Sequence, residues 1–198
     1  MVGVAGAAAN ATEQNRNKTG DVRGMPFIIE CDCALRARQV EDLPYGGTMR
    51  TIPGWDQYYL DICKVVASRS KDPNTQIGCV IIGPNHEIRS TGYNSFPRGI
   101  RDDVPERLVR PTKYLWIEHA ERNAICNAAR AGTATEGCTI FVEIMPCMDC
   151  ARAVVQAGIV EVVVSSERMA QYSSEYYNEH FGMVEGLFSE ARVRVRRV

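Results

Sequence analysis

Residues 119–165 read HAERNAICNAARAGTATEGCTIFVEIMPCMDCARAVVQAGIVEVVVS, and this stretch decides the fold. His119–Arg130 is a helix-forming run that Gly132 ends. Thr139–Glu143 is apolar and β-branched, the signature of a strand. Pro146–Ala157 reads as a second helix, with proline at its start and Gly158 just past its end, the expected polarity. Ile159–Ser165 is dense in valine and reads as the next strand. Helices and strands that alternate in this way make an α/β chain, with a sheet covered on both faces.

The rest of the chain extends the pattern. Trp55, Tyr58, Tyr59, Ile62, Val65 and Val66 recur at helical spacing and predict an amphipathic helix over Trp55–Ser68. Asp72-Pro73-Asn74 is a turn, and Gln76–Ile82 reads as a buried strand. Gly83-Pro84-Asn85-His86 reads as a hairpin loop into a strand at Ile88–Tyr93. Asn94–Lys113, rich in Pro, Gly, Arg and Asp, is a long loop whose length points to function. Ser173–Glu190 has near-helical aromatic spacing, made imperfect by Gly182 and Gly186. Arg192–Val198 alternates Arg and Val, as an edge strand with one solvated face does. Residues 52–198 therefore form the compact domain. Residues 1–25 read as a flexible tail and 26–51 as an arm that packs on the body or on a second subunit.

The chain has 198 residues, 45% of them hydrophobic and 24% charged, with 23 Lys+Arg against 24 Asp+Glu. That length suits one domain plus some excess and buries a core without staples. The composition excludes collagen, a coiled coil and a wholly disordered chain. A net charge of -1 argues against a dedicated nucleic-acid binder, but one nucleotide phosphate needs only a local charge or two. No run approaches the ~18 apolar residues of a membrane span, and no basic leader precedes an apolar one. The 8 cysteines read as thiols or metal ligands in a reducing, cytoplasmic setting. Cys31 and Cys33 read as ordinary thiols, and Cys63, Cys79, Cys126 and Cys138 as buried ones.

The chemistry lies in His119-Ala120-Glu121 followed by Pro146-Cys147-Met148-Asp149-Cys150. One histidine and two cysteines are borderline-soft donors, which suits Zn2+. Cys147 and Cys150 stand one helical turn apart, so both thiolates can face one ion. All three ligands begin predicted helices, where partial positive charge favours the thiolate that zinc requires. Three protein ligands leave a fourth position open, the catalytic rather than the structural pattern. Glu121 sits two residues past the histidine, near the ion without ligating it, as a proton shuttle must. His-x-Glu followed by Pro-Cys-x-x-Cys is the signature of zinc nucleobase deaminases.

The chain resembles the deoxycytidylate (dCMP) deaminase family of the cytidine deaminase superfamily over about residues 52–165. Ser70-Lys71-Asp72-Pro73-Asn74-Thr75-Gln76-Ile77-Gly78 carries the resemblance, with Gly92-Tyr93-Asn94-Ser95-Phe96-Pro97-Arg98-Gly99, Asp102-Asp103, Thr112-Lys113-Tyr114 and Gln156-Ala157-Gly158-Ile159. It implies a three-layer α/β/α cytidine-deaminase-like fold, with a mixed sheet of about five strands. It implies a zinc-dependent hydrolase that converts dCMP to dUMP and ammonia, with His119, Cys147 and Cys150 on the metal and Glu121 catalytic. It implies substrate contacts from Asn94. Arg69 and Lys71, beside the Ser-Lys-Asp-Pro turn, are candidates for the phosphate, and Trp116 for packing on the pyrimidine. It further implies a homo-oligomer with dCTP and dTTP as allosteric effectors near the Tyr93–Arg101 loop.

Two positions depart from the family pattern. Ser95 stands where a glycine is usual, and Glu118 adds a negative charge beside the site. The alternative reading is a related zinc deaminase for another amino-substituted heterocycle: a modified pyrimidine nucleotide, a nucleoside or a nucleic-acid base. A non-enzymatic zinc-fold binding protein is disfavoured, because a structural zinc has no use for Glu121.

Overall fold

The computed structural model describes residues 50–172 and 174–198. The tail expected over residues 1–25, nearly all of the arm, and Cys31 and Cys33 lie outside the described residues.

Five strands form one mixed sheet in the order β2-β1-β3-β4-β5. They are β1 (Gly78–Ile82), β2 (Ile88–Tyr93), β3 (Thr139–Val142), β4 (Glu161–Val164) and β5 (Arg194–Arg197). β1 runs antiparallel to both β2 and β3, while β3, β4 and β5 are mutually parallel. Every residue of β1 and β4 is buried, because both faces of the sheet are covered. Alternate residues serve opposite faces. Val80, Ile82, Phe141 and Val163 meet Tyr59, Leu60 and Cys63 of α1 (Trp55–Ala67). Cys79, Ile81, Ile140, Val142, Val162 and Val164 face the other layer.

That layer holds the helices quoted first above, now α3 (Ala120–Ala131) and α4 (Met148–Gln156), together with α6 (Glu175–Glu190). The expected three-layer α/β/α architecture is therefore present. α3 lies very close to the sheet. A Cβ on Gly92 would come within 2.3 Å of the Ala120 carbonyl oxygen and 2.3 Å of the Ala124 nitrogen. Glycine in β2 and alanines on α3 are what let the His119 end of the helix sit against the sheet.

Some expectations change. Gly182 and Gly186 do not interrupt α6, since Phe181, Val184 and Phe188 anchor it in the core and outweigh a helix penalty of ~1 kcal/mol per glycine. Cys126 is exposed, because the buried face of α3 is Ala120, Glu121, Ala124 and Ala128. The long loop contains a 3-10 turn at Pro105–Leu108 and the short α2 (Lys113–Trp116). α5 (Ser166–Met169), absent from the sequence reading, is capped by the Ser165 hydroxyl, which accepts the Arg168 N–H.

The arginines of β5 are engaged. Arg194 and Arg196 donate to the buried Glu161 carboxylate at 2.6 and 2.8 Å, and Arg196 also grips Asp56 of α1. Burial alone would raise the Glu161 carboxyl, but these two guanidiniums hold it below its ordinary range. Among the described residues, no helix is long and apolar enough to cross a membrane.

Candidate active site

The site forms where α3 and α4 begin. His119 is the N-cap of α3, Cys147 is the N-cap of α4, and Cys150 lies in the first turn of α4. Both cap residues have extended backbone, so their side chains project from the helix ends toward one another. Sγ of Cys147 lies 3.4 Å and Sγ of Cys150 3.5 Å from Nδ1 of His119. All three donor atoms fall within 4.8 Å of one another.

This arrangement fits a dication. Hydrogen bonding from the Cys150 thiol, joined by His119, holds the Cys147 thiol down at about 3. The same bond to Cys147, together with burial, pushes Cys150 up. Two thiols this close share one negative charge, and a doubly charged cation lets both ionise, as ligation requires. His119 is raised chiefly by its bond to Cys147.

Glu121, in the first turn of α3, is only 4% exposed, and burial raises its carboxyl above the ordinary carboxylate value while the nearby His119 opposes that rise. It opens on a cleft of about 390 Å³, also bounded by His119 and Cys147. That volume is at the scale of a small-molecule site, ~300–1,000 Å³.

Glu118 does not stand as a free negative charge. Its carboxylate accepts the His119 N–H at 2.9 Å and Arg122 Nε at 2.6 Å, so it orients the start of α3 and is neutralised. Ser95 keeps the loop in place. Its backbone pairs with that of Glu118 in both directions, at 3.0 and 2.8 Å, and its hydroxyl accepts from Asn123.

The other expected substrate contacts divide. Asn94 borders the cleft, yet its side chain is engaged: it accepts the Ile77 N–H at 2.9 Å and donates to the Thr75 carbonyl at 2.8 Å. It therefore braces the strand ends that frame the cleft. Arg69, Lys71 and Trp116 do not border it. Lys71 pairs with Asp102 at 2.8 Å in solvent, and Trp116 lies under the Arg107 guanidinium at 3.8 Å. The cations that do border the cleft are Arg110 and Lys113.

Sequence reasoning missed the far wall, built by Tyr172, Tyr176, Tyr177, His180 and Phe181 at and along α6. The signal was there in the four-residue steps from Tyr176 to His180 and from Tyr177 to Phe181, which follow one side of α6.

Comparison with known proteins agrees with this geometry. Residues 53–166 match the family model described as the cytidine and deoxycytidylate deaminase zinc-binding region. The deoxycytidylate deaminase of Homo sapiens is 40% identical over 119 residues, which cover 58% of this chain and 66% of that protein. An uncharacterized deaminase from the luxG 3' region of Aliivibrio fischeri is 38% identical over 146 residues, covering 73% of this chain and 93% of that protein. The crystal structure of dCMP deaminase from the cyanophage S-TIM5, in complex with dCMP and dUMP, superposes with a TM-score of 0.59. It is 19% identical and covers 75% of this chain and all of that one, a likeness of fold. The matched residues contain Glu121 and the His119, Cys147 and Cys150 donor set, and the chain belongs to the zinc-binding cytidine and deoxycytidylate deaminase family.

Proposed function

We propose that this protein is a zinc-dependent hydrolase that deaminates dCMP to dUMP and ammonia. The observation that carries the reading is the buried Glu121 carboxylate, open to a nucleotide-sized cleft beside His119, Cys147 and Cys150. The human relative's name and 40% identity supply the substrate.

In this reading His119, Cys147 and Cys150 hold the zinc, and the bound ion supplies Lewis acidity that lowers the pKa of water toward neutrality. Glu121 takes a proton from the attacking water and delivers it to pyrimidine N3. The water oxygen bonds to C4, the bond from C4 to the exocyclic nitrogen breaks, and Glu121 passes the second water proton to the departing amine, which leaves as ammonia. Glu118 and Arg122 keep the start of α3 oriented. The Tyr176 and Tyr177 rings provide a stacking wall for a flat base.

The test is ammonia release by the zinc-loaded protein with dCMP and with deoxycytidine. The expected result is a kcat/KM for dCMP higher by about ten- to hundredfold, the worth of a charge-assisted phosphate contact. Equal rates on the two compounds would make this a nucleoside enzyme, and no ammonia from either would end the reading.

The same reading includes a cytoplasmic homo-oligomer regulated by dCTP and dTTP through the Tyr93–Arg101 loop. Support comes from the backbone pairing of Ser95 with Glu118, which ties that loop to the residue beside His119. Rate against dCMP is expected to be sigmoidal, to become hyperbolic with dCTP, and to fall with dTTP. A hyperbolic curve indifferent to both nucleotides would show that the loop carries no such regulation.

A further inference from the structure

Resting on the reading of His119, Cys147 and Cys150 as zinc ligands, we propose that Arg122 and Asp149 form, with Glu118, an ionic bridge between the starts of α3 and α4, and that this bridge sets how tightly the metal is held. All three are positioning residues. None belongs to the donor set, and each acts on the ion through the helix start that carries a ligand.

The need for a bridge follows from where the donors stand. His119 is the N-cap of α3, whereas Cys147 and Cys150 begin α4, and 28 positions of chain separate His119 from Cys147. A metal site holds its ion well only when its donors keep fixed separations, and the residues behind the ligands supply that constraint. A shift of one helix start against the other would spread this donor set even with every ligand present.

Arg122 spans the gap. It lies on α3 just past His119, and its Nε donates to Glu118 Oε1 at 2.6 Å. The same Glu118 oxygen accepts the His119 backbone N–H at 2.9 Å, so the guanidinium is tied to the residue that carries the first ligand. Its Nη1 faces Oδ2 of Asp149 at 3.7 Å, an ion pair that reaches across to α4. Asp149 stands between the two cysteines in the first turn of that helix. Its other oxygen, Oδ1, accepts from Arg152 further along α4, which holds the carboxylate in place. Among the described residues, Arg122 with Asp149 is the one ion pair that joins α3 to α4. The Arg122 and Glu118 side chains are each 31% exposed, so their link is less screened than one on the open surface.

The experiment measures zinc affinity by competition with a chelator in the full chain, as wild type, Arg122→Met, Asp149→Asn and the double variant. Melting curves of the zinc-loaded and metal-stripped forms accompany it. Methionine keeps an unbranched apolar stem and a good helix former at position 122. The expected result is an affinity about ten- to hundredfold lower in Arg122→Met, the range for residues that orient metal ligands, and about three- to tenfold lower in Asp149→Asn. The double variant should be no weaker than Arg122→Met alone, because both changes break one bridge. The gap in melting temperature between loaded and stripped forms should narrow in step, since it reports the metal's binding to the folded state. A role confined to the fold would lower both melting temperatures together and leave the affinity alone, which would overturn the proposal. A charge acting only through space would give the opposite sign, because removing a cation beside a dication strengthens its binding, so tighter zinc in Arg122→Met also overturns the bridge. So does a double variant in which the two losses multiply. If Arg122→Met does not fold, Asp149→Asn, at a side chain 58% exposed, decides through the same affinity. A wild type that holds no zinc overturns the metal reading itself, whereas unchanged affinity in the variants overturns only the bridge.

Discussion

Glu121→Ala is expected to stay folded and to keep its metal while deamination of dCMP all but disappears. Glu121 contributes no donor atom to the His119, Cys147 and Cys150 cluster, so the ion keeps its three protein ligands. What is lost is proton transfer at two points of the reaction, each worth about 10²–10⁴-fold. Stability should not fall with it, because the carboxylate is buried at an energetic cost that its removal relieves. Glu121→Gln provides the control for shape, since it retains the volume and polarity but cannot exchange the proton. Metal analysis beside the ammonia assay decides the matter. A variant that remains active, or that stays folded but loses zinc, would show that Glu121 has a different role.

Cys150→Ala should behave in the opposite way, losing zinc and activity together. Removing the thiolate removes one of three protein bonds and half of the negative charge that balances the dication. Residues that merely orient a metal ligand are worth about 10–100-fold in affinity, so losing a ligand should exceed about 100-fold. Cys150 is fully buried, and its replacement also opens a small cavity in the core. Cys147→Ala is therefore the companion variant, because Cys147 is less buried and its loss tests ligation with less effect on packing. Zinc content after exhaustive dialysis is the measurement. Full metal content in both variants would remove these thiols from the ligand set.

Metal ligation and proton transfer also divide between two residues that the chain places only two positions apart, His119 and Glu121. His119 caps α3 with extended backbone, while Glu121 is already inside the helix. The change of backbone geometry between them sends one side chain to the thiols and leaves the other beside the cleft.

Legibility in the sequence followed the range of the interaction. The ligand set was readable because it depends on local rules: a histidine and a cysteine at helix starts, and a second cysteine one turn later. The central strands were readable because double-sided burial demands continuous apolar runs, as in Gly78–Ile82 and in the three valines of β4, Val162, Val163 and Val164. Helix α6 was less clear, since its glycines speak against a helix and only Phe181, Val184 and Phe188 in the core restore it.

By itself, then, the sequence determined the α/β class, the His119, Cys147 and Cys150 donor set, and the place of Glu121 beside it. Each depends on residue chemistry and on spacings within one helix or strand. Tertiary structure alone decided which cations meet the cleft. Lys113 reaches Asp72 across 41 positions of chain, while Lys71, the immediate neighbour of Asp72, turns out to solvent and pairs with Asp102. It also decided that an aromatic wall from α6 closes the site and that Arg194 and Arg196 converge on Glu161. The physical reason is common to all three: a charge or a ring has its role set by what lies within a few ångströms, and for these residues those neighbours come from distant segments brought together by the packing of helices on the sheet.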